Sequence, residues 1–130
     1  MSGIRIDHTA MFVDDLEGAR AFFMEFFGAS ANEMYHNPRT GLRTYFISFP
    51  AGGRLEIMSR PDVEVQDNSV PRSGLHHLSL SLGAREEVDR MSLLLSSRGY
   101  EVQSGPRVTG DGYYESCIKA FEGNLIELTE

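Results

Sequence analysis

The sequence has one cysteine, no tryptophan and no long apolar run, and each scarcity excludes a class of protein. A single cysteine, Cys117, excludes an internal disulfide. No segment approaches the ~18 consecutive apolar residues that a membrane helix needs, and the N-terminus lacks a basic stretch followed by an apolar one. We therefore expect a cytoplasmic protein without a membrane partner, in which Cys117 is a buried, unreactive thiol of a strand.

Positive charge is also scarce. The chain has 12 Lys and Arg residues against 19 Asp and Glu residues, which gives a net charge of −7. Such a chain repels phosphate backbones, and its basic residues are scattered along the sequence, so nucleic acid is not an expected partner. The 130 residues, 41% of them hydrophobic, are sufficient for one compact domain with its own core.

The two halves of the chain repeat each other. His8 and His77 lie 69 positions apart, whereas Glu56 and Glu127, beyond the predicted helices, lie 71 positions apart. A two-residue difference near the helix end accounts for the change in spacing. The pattern predicts a duplicated βαβββ unit of the α+β class.

Residue periodicity defines the elements of each repeat. The first helix is predicted to start at a capping box formed by Asp14 and Glu17 and to end at Gly28, and the second covers residues 85–98 and ends at Gly99. The repeats cover about residues 4–59 and 74–129, joined by a linker over 60–73 within a single domain, 1–130. The predicted strands cover about residues 4–13, 30–35, 43–49, 54–59, 76–82, 100–104, 114–120 and 124–129.

Four candidate metal ligands lie at equivalent positions of the two repeats. Because side chains alternate across a strand, Glu56 and Glu127 each lie between two apolar neighbours, and His77 lies opposite the leucines of its strand. A carboxylate buried alone is costly or stays protonated, so two of them on one face require a cation. We predict that His8, Glu56, His77 and Glu127 converge on one divalent metal and leave positions open for water or substrate. An isolated His or Glu is more often solvated or paired with another residue than a metal ligand. Two histidines lack the support of the repeat and are assigned no role: His36 lies in a predicted turn, and His76 has the opposite parity.

The connection over residues 105–115 is rich in glycine and carries polar and aromatic groups. It is either a loop that closes over a ligand or a hairpin loop. Arg107 is the strongest anion-binding candidate there, and Tyr113 is a second candidate for substrate contact. Arg54 shares the face of Glu56 and is expected to pair with it.

The chain resembles the vicinal oxygen chelate superfamily, the group of glyoxalases, bleomycin resistance proteins and ring-cleaving dioxygenases, over essentially its whole length. The resemblance implies one glyoxalase-like domain, in which two βαβββ modules form a U-shaped eight-stranded mixed sheet around a divalent metal. It also implies a homodimer, with the metal ligands drawn from one chain or from two. The resemblance is carried by residues 8–16, 54–57, 77–80 and 122–128.

Within the superfamily, the ligand set most resembles that of glyoxalase I, lactoylglutathione lyase. Dioxygenases of the group use two His and one Glu, methylmalonyl-CoA epimerases usually carry Gln at the position of Glu56, and bleomycin-binding proteins lack the ligands. The resemblance implies nickel or cobalt, with zinc as an alternative, and isomerisation of the hemithioacetal of methylglyoxal through an enediolate. Glu127 is the expected main base, with Glu56 as its counterpart.

Two positions depart from the glyoxalase I pattern. Where that enzyme has an arginine and an asparagine for glutathione, this chain has Phe12 and Arg60. Together with Arg107 and Tyr113, these are the candidate substrate-binding residues, and the expected partner is a small molecule linked to a thiol or to CoA. Two alternatives remain open: an enzyme like methylmalonyl-CoA epimerase, and a protein that sequesters a small drug without a metal.

Overall fold

The computed structural model describes residues 2–130, and the chain divides into two compact units after Val65. This division lies within the predicted linker, 60–73. Each unit has one α-helix and its own mixed sheet. No helix within residues 2–130 has both the length and the apolar composition that crossing a membrane requires.

The first unit consists of β1 (Thr9–Phe12), α1 (Leu16–Phe27), β2 (Ser30–Ala31), β3 (Tyr35–Asn37), β4 (Leu42–Ser48) and β5 (Arg54–Ser59). In its sheet β1 and β5 run parallel, and β4 and β5 run antiparallel. The strand order is β1-β5-β4-β2, and β3 also pairs with β4. A parallel pair needs a long crossover connection, and α1 supplies part of it.

Three predicted details of the first unit were wrong. β1 begins at Thr9 rather than at residue 4, because only residues 9–12 pair with β5, and Ile4 and Ile6 are 74% and 85% exposed. The weak strand predicted over 30–35 is two short strands, β2 and β3. The cap of α1 is Asp15 rather than Asp14, since Asp15 Oδ1 accepts a hydrogen bond from the Gly18 N–H at 2.9 Å.

The second unit repeats this arrangement with β6 (His77–Ser81), α2 (Arg85–Ser97), β7 (Glu101–Val108), β8 (Tyr114–Lys119), a 3₁₀ turn (Phe121–Gly123) and β9 (Leu125–Thr129). Its sheet has the order β6-β9-β8-β7, in which β6 and β9 are parallel and the other pairs antiparallel. The α+β class with two equivalent modules is therefore confirmed, although β7 continues to Val108, beyond its predicted end.

The helix ends explain the shift in repeat spacing. α1 has 12 residues and is followed directly by Gly28, whose φ of 63° is left-handed. α2 has 13 residues, and Arg98 stands between it and Gly99, whose φ is 92°. One added helical residue and one added cap residue together give the two-residue difference. The apolar faces of both helices are buried as predicted: Ala19, Phe22, Phe23 and Phe26 in α1, and Val88, Met91 and Leu95 in α2.

Tyr45 anchors β4 to α1 by donating a hydrogen bond to Glu17 Oε1 at 2.6 Å. This hydrogen bond, followed by burial, raises the pKa of Tyr45 above its ordinary value of 10.0. We expect Tyr45→Phe to lower the free energy of unfolding by about 1 kcal/mol in urea titrations at neutral pH. The contribution is complete below the unfolded pKa and is lost as pH rises through the folded pKa, so the two proteins should converge in stability above pH 10.

A matched control for this experiment is Tyr35→Phe, because Tyr35 is 56% exposed. It should leave both the stability at neutral pH and the loss of stability above pH 10 unchanged. If Tyr45→Phe also behaved like wild type, the Tyr45–Glu17 hydrogen bond would have no net effect on stability.

Candidate metal site

The first His–Glu pair lies where β1 and β5 run side by side. His8 immediately precedes β1, and Ala10 is the register partner of Glu56 on β5. His8 Nε2 lies 3.8 Å from Glu56 Oε1. The neighbours of Glu56 are buried, whereas its own side chain is 19% exposed, which confirms the predicted parity.

The second pair has the same construction in the second unit. His77 opens β6, and Ser79, the repeat equivalent of Ala10, is the register partner of Glu127 on β9. His77 Nε2 lies 3.4 Å from Glu127 Oε2, and Ser79 Oγ donates a hydrogen bond to Glu127 Oε1 at 3.1 Å. The strand neighbours of Glu127 are again buried, and its side chain is 22% exposed.

Both pairs have the donor atoms that a divalent ion needs, and the pair in the second unit also has the spacing. Metal bonds of about 2.0–2.2 Å to imidazole nitrogen and carboxylate oxygen place two such ligands about 2.9–3.4 Å apart. The His77–Glu127 separation of 3.4 Å falls in this range, and the His8–Glu56 separation of 3.8 Å needs a small side-chain adjustment. Within residues 2–130, neither unit by itself brings together three or more His, Cys, Asp or Glu side chains that could hold a metal ion. Each unit therefore offers two ligands.

The residue before each histidine contacts its second ring nitrogen. His8 Nδ1 lies 2.8 Å from Asp7 Oδ2, and His77 Nδ1 lies 2.8 Å from His76 Nδ1. Asp7 also accepts a hydrogen bond from Arg54 at 2.6 Å. The predicted pairing of Arg54 with Glu56 was therefore wrong, since Arg54 pairs with Asp7. The hydrogen bonds from His8 and then from Arg54 hold the pKa of Asp7 below its ordinary value.

Sequence reasoning missed Asp7 and assigned His76 no role. The repeat contained the signal, because Asp7 and His76 are 69 positions apart, the same spacing as His8 and His77. Parity placed His76 on the other face of the strand. The structure instead starts β6 at His77, so His76 lies before the strand and its ring is able to reach that of its neighbour.

A cavity of about 220 Å³ lies beside the second pair, within the second unit. Besides His77 and Glu127, its walls include Arg107 of β7 and both Glu115 and Cys117 of β8. This volume is below the roughly 300–1,000 Å³ of pockets for drug-sized ligands, so it suits a smaller molecule or the reacting end of a larger one. The lining side chains include charges of both signs, which favours a ligand with polar groups.

A bulge in β7 places Arg107 in the cavity wall. The pairing with β8 is irregular between Ser104 and Arg107, after which Arg107 is the register partner of Glu115. Gly105 lies in the irregular stretch with a φ of 82°, and a Cβ there would lie 2.5 Å from the Glu115 carbonyl oxygen. Only glycine fits this close approach without a shift of the backbone.

Two further groups of the cavity have shifted pKa values. A hydrogen bond with the Glu127 carboxylate, followed by burial, raises the pKa of Glu115. Burial, followed by the negative charge of Glu127, raises the pKa of the Cys117 thiol, whose Sγ donates to Gln103 Oε1 at 3.6 Å. Cys117 thus lines the cavity instead of lying in the core as predicted, while its raised pKa agrees with an unreactive thiol.

The other candidate substrate contacts lie elsewhere on the two units. Arg60 makes two hydrogen bonds with Asp62, at 2.6 and 2.8 Å, which raise the pKa of Arg60. Phe12 ends β1 and is 43% exposed, and Tyr113 is 57% exposed. Tyr113 belongs to a hairpin turn, in which its carbonyl oxygen accepts from the Thr109 N–H at 2.7 Å, so the hairpin alternative for residues 105–115 is correct. His36 lies in β3 rather than in a turn.

Solved structures of several proteins share the fold. A glyoxalase family protein from Bacillus cereus is 20% identical with a TM-score of 0.83, and the match covers 100% of this chain and 97% of that one. A glyoxylase/bleomycin resistance protein/dioxygenase domain from Frankia sp. is 16% identical with a TM-score of 0.82 and 98% coverage of both chains. The fosfomycin resistance protein FosX from Listeria monocytogenes, complexed with Mn(II) and sulfate, is 22% identical with a TM-score of 0.70, covering 99% of this chain and 92% of that one.

Sequence comparison extends this similarity to a family. No curated protein sequence matches the chain at a significant level. The family model for the Glyoxalase/Bleomycin resistance protein/Dioxygenase superfamily matches residues 5–128. Since this match spans nearly the whole chain, the protein belongs to the glyoxalase/bleomycin resistance protein/dioxygenase superfamily.

Proposed function

We propose that the chain is a metal-dependent lyase or isomerase of the glyoxalase I type. In this proposal His8, Glu56, His77 and Glu127 hold one divalent ion, with both pairs drawn from one chain or from two copies in a homodimer. The observation that carries the proposal is the duplicated His–Glu pair, with its Nε2 and carboxylate oxygen 3.8 Å apart in one unit and 3.4 Å apart in the other. FosX, which shares the fold, was solved with Mn(II), which supports a divalent ion; nickel or cobalt is our first expectation and zinc our second.

The two pairs have different surroundings, which favours Glu127 over Glu56 as the base. The register partner of Glu56 on β4 is Phe46, and the equivalent partner of Glu127 on β8 is Cys117. Glu127 therefore faces a cavity with charged side chains in its walls, and Ser79 donates a hydrogen bond to one of its oxygens. Glu56 lies beside an aromatic ring and serves as a fixed ligand.

In the proposed reaction, the metal ion, when bound, supplies Lewis acidity that makes the carbon-bound proton beside a carbonyl easier to remove. Glu127 takes this proton from the thiol-bearing carbon of a hemithioacetal and returns it to the neighbouring carbonyl carbon. The hydroxyl proton passes from the oxygen on the thiol-bearing carbon to the oxygen on the former carbonyl carbon. The thiol-bearing carbon thereby becomes the carbonyl carbon, and the product is a hydroxyacyl thioester of the same composition. No other reactant is needed.

Arg107 is proposed to bind an anionic group of the substrate. Arg107 lines the cavity next to the His77–Glu127 pair, whereas Arg60 is already hydrogen-bonded to Asp62. Arg107→Gln should raise the KM for an anionic substrate about 10- to 100-fold, the effect of losing a hydrogen bond to a charged group. Steady-state kinetics on an anionic substrate would measure this change.

The matched control is Arg39→Gln, in a turn of the first unit, which should leave KM unchanged. Metal affinity should be normal in both variants. An unchanged KM in Arg107→Gln would remove Arg107 from the substrate site.

The function is tested by loading metal-free protein with Ni²⁺, Co²⁺ or Zn²⁺ and supplying methylglyoxal with glutathione or another thiol. Formation of a hydroxyacyl thioester faster than in buffer, with a requirement for metal, supports the proposal. Exchange of the α-proton of methylmalonyl-CoA in deuterated water, without thioester formation from methylglyoxal, would assign epimerase activity instead. A protein that binds a small ligand tightly without metal and turns over neither substrate would be a binding protein.

A further inference from the structure

We infer that Asp7 and His76 are positioning residues that fix the ring tautomer and orientation of the histidines that follow them. The inference rests on the proposed metal site and concerns residues outside its ligand set. Both contacts join Nδ1 of a predicted ligand to the side chain before it, and both measure 2.8 Å. They occur at the same repeat position in two units of different sequence.

Asp7 determines the tautomer of His8 through elementary hydrogen-bond chemistry. An ionised carboxylate only accepts hydrogen bonds, so His8 Nδ1 carries the proton and donates it to Asp7 Oδ2. The lone pair of a neutral His8 is then on Nε2, which faces Glu56 Oε1 at 3.8 Å. Two acceptors that face each other favour a cation between them. The arrangement is the carboxylate–histidine–metal pattern in which an outer carboxylate orients a ligand.

The neighbours of Asp7 and His8 hold this geometry. Arg54 donates to the same Asp7 oxygen at 2.6 Å. The Phe46 ring meets the His8 ring edge to face, with 5.0 Å between centroids, and the Arg54 guanidinium lies over the Phe46 ring at 4.5 Å from its centroid. The ring of His8 is therefore restrained from two directions.

His76 has the equivalent role with a weaker acceptor. Two imidazole nitrogens 2.8 Å apart need one donor and one acceptor, and a His77 that binds metal through Nε2 carries its proton on Nδ1. His77 then donates to His76 Nδ1, and the His76 proton is on Nε2. Because a neutral ring is a weaker acceptor than a carboxylate, loss of Asp7 should weaken metal binding more than loss of His76.

The test combines a tautomer measurement with a metal titration. Nitrogen-15 NMR of metal-free protein at about pH 8.5 should show His8 with its proton on Nδ1, and Asp7→Ala should shift His8 toward the Nε2–H tautomer. Titration with Co²⁺, followed by its visible absorption, should show affinity about 10- to 100-fold lower in Asp7→Ala than in wild type. Asp7→Asn keeps an acceptor oxygen without the charge and should lie between the two. His76→Ala should show a smaller loss than Asp7→Ala.

The outcomes separate this inference from the proposed function. Glu33→Gln removes another negative charge from the first unit and should leave tautomer and affinity unchanged. If wild type binds Co²⁺ and Asp7→Ala matches it in affinity and tautomer, the positioning role is wrong while the metal site stands. If wild type binds no Co²⁺, the metal site is wrong and the positioning role falls with it.

Discussion

Replacing Glu127 with glutamine is expected to lower kcat about 10²- to 10⁴-fold, the usual contribution of a general base. The amide has nearly the shape of the carboxylate, and its oxygen still accepts from Ser79, but it cannot take a proton from carbon. Steady-state kinetics with metal at saturating concentration would measure the loss. The defect should be in kcat, since excess metal restores occupancy.

The comparison variant is Glu56→Gln, which changes the equivalent carboxylate of the other unit. Because Glu56 lies beside Phe46 and is proposed to be a fixed ligand, its amide should weaken metal binding and retain far more of kcat at saturating metal. Glu86→Gln, at the exposed start of α2, should match wild type. Equal losses of kcat in Glu56→Gln and Glu127→Gln would contradict the assignment of Glu127 as the single base.

Removing either histidine is expected to reduce metal affinity by about 10² or more. Four protein ligands together contribute about 10–16 kcal/mol in structural sites, or about 3 kcal/mol each, and this energy per ligand corresponds to a factor of about 10². His8→Ala and His77→Ala should therefore have similar losses, although the two residues belong to different units. Competition titrations against a chelator of known affinity would measure both.

The histidine variants also distinguish a shared ion from two independent ones. If each pair bound its own metal, His8→Ala would leave one ion at full affinity on His77 and Glu127. His36→Ala is the control, because His36 lies in β3 and belongs to neither pair. A single weakened binding event in each ligand variant is the result expected for one shared ion.

Sequence periodicity was sufficient to predict the class of the fold and the faces of the strands. The faces were predictable because alternation in a strand is strict: the neighbours of Glu56 and Glu127 had to lie opposite to them, and the structure buries those neighbours. The repeat was recognisable in part because Gly28 and Gly99 follow the two helices at equivalent positions, and both adopt the left-handed conformation that glycine favours. These features depend on local geometry and need no knowledge of tertiary contacts.

The missed features depend on contacts between distant residues or on where a strand starts. Cys117 was assigned to the core, but it shares its face of β8 with Glu115 and Lys119, and that face borders the cavity. Arg54 has the parity of Glu56, yet Asp7, outside any strand, takes its guanidinium. Asp15 rather than Asp14 caps α1, although the spacing to Glu17 favoured the latter. For Arg54 and for the cap of α1, sequence spacing favoured a residue that the structure does not use.

The linker shows the same limit. Its composition predicts only an irregular connection, but Asn68 Nδ2 donates to the Glu122 carbonyl oxygen at 3.4 Å. A Cβ on Gly123 would lie 2.7 Å from Asp67 Oδ1. The glycine after Glu122, one of the residues that carry the family resemblance, thus leaves room for the linker residues within the second unit.

The most direct test is the metal content of protein reconstituted with Co²⁺ or Ni²⁺ and freed of excess ion, together with that of the His8→Ala and His77→Ala variants. One shared ion requires about one metal per chain in wild type, whether the two pairs come from one copy or two, and a large loss in each variant. Two metals per chain, or a full equivalent kept by either variant, would show that the pairs act separately. Failure of wild type to retain any metal would contradict the metal site altogether.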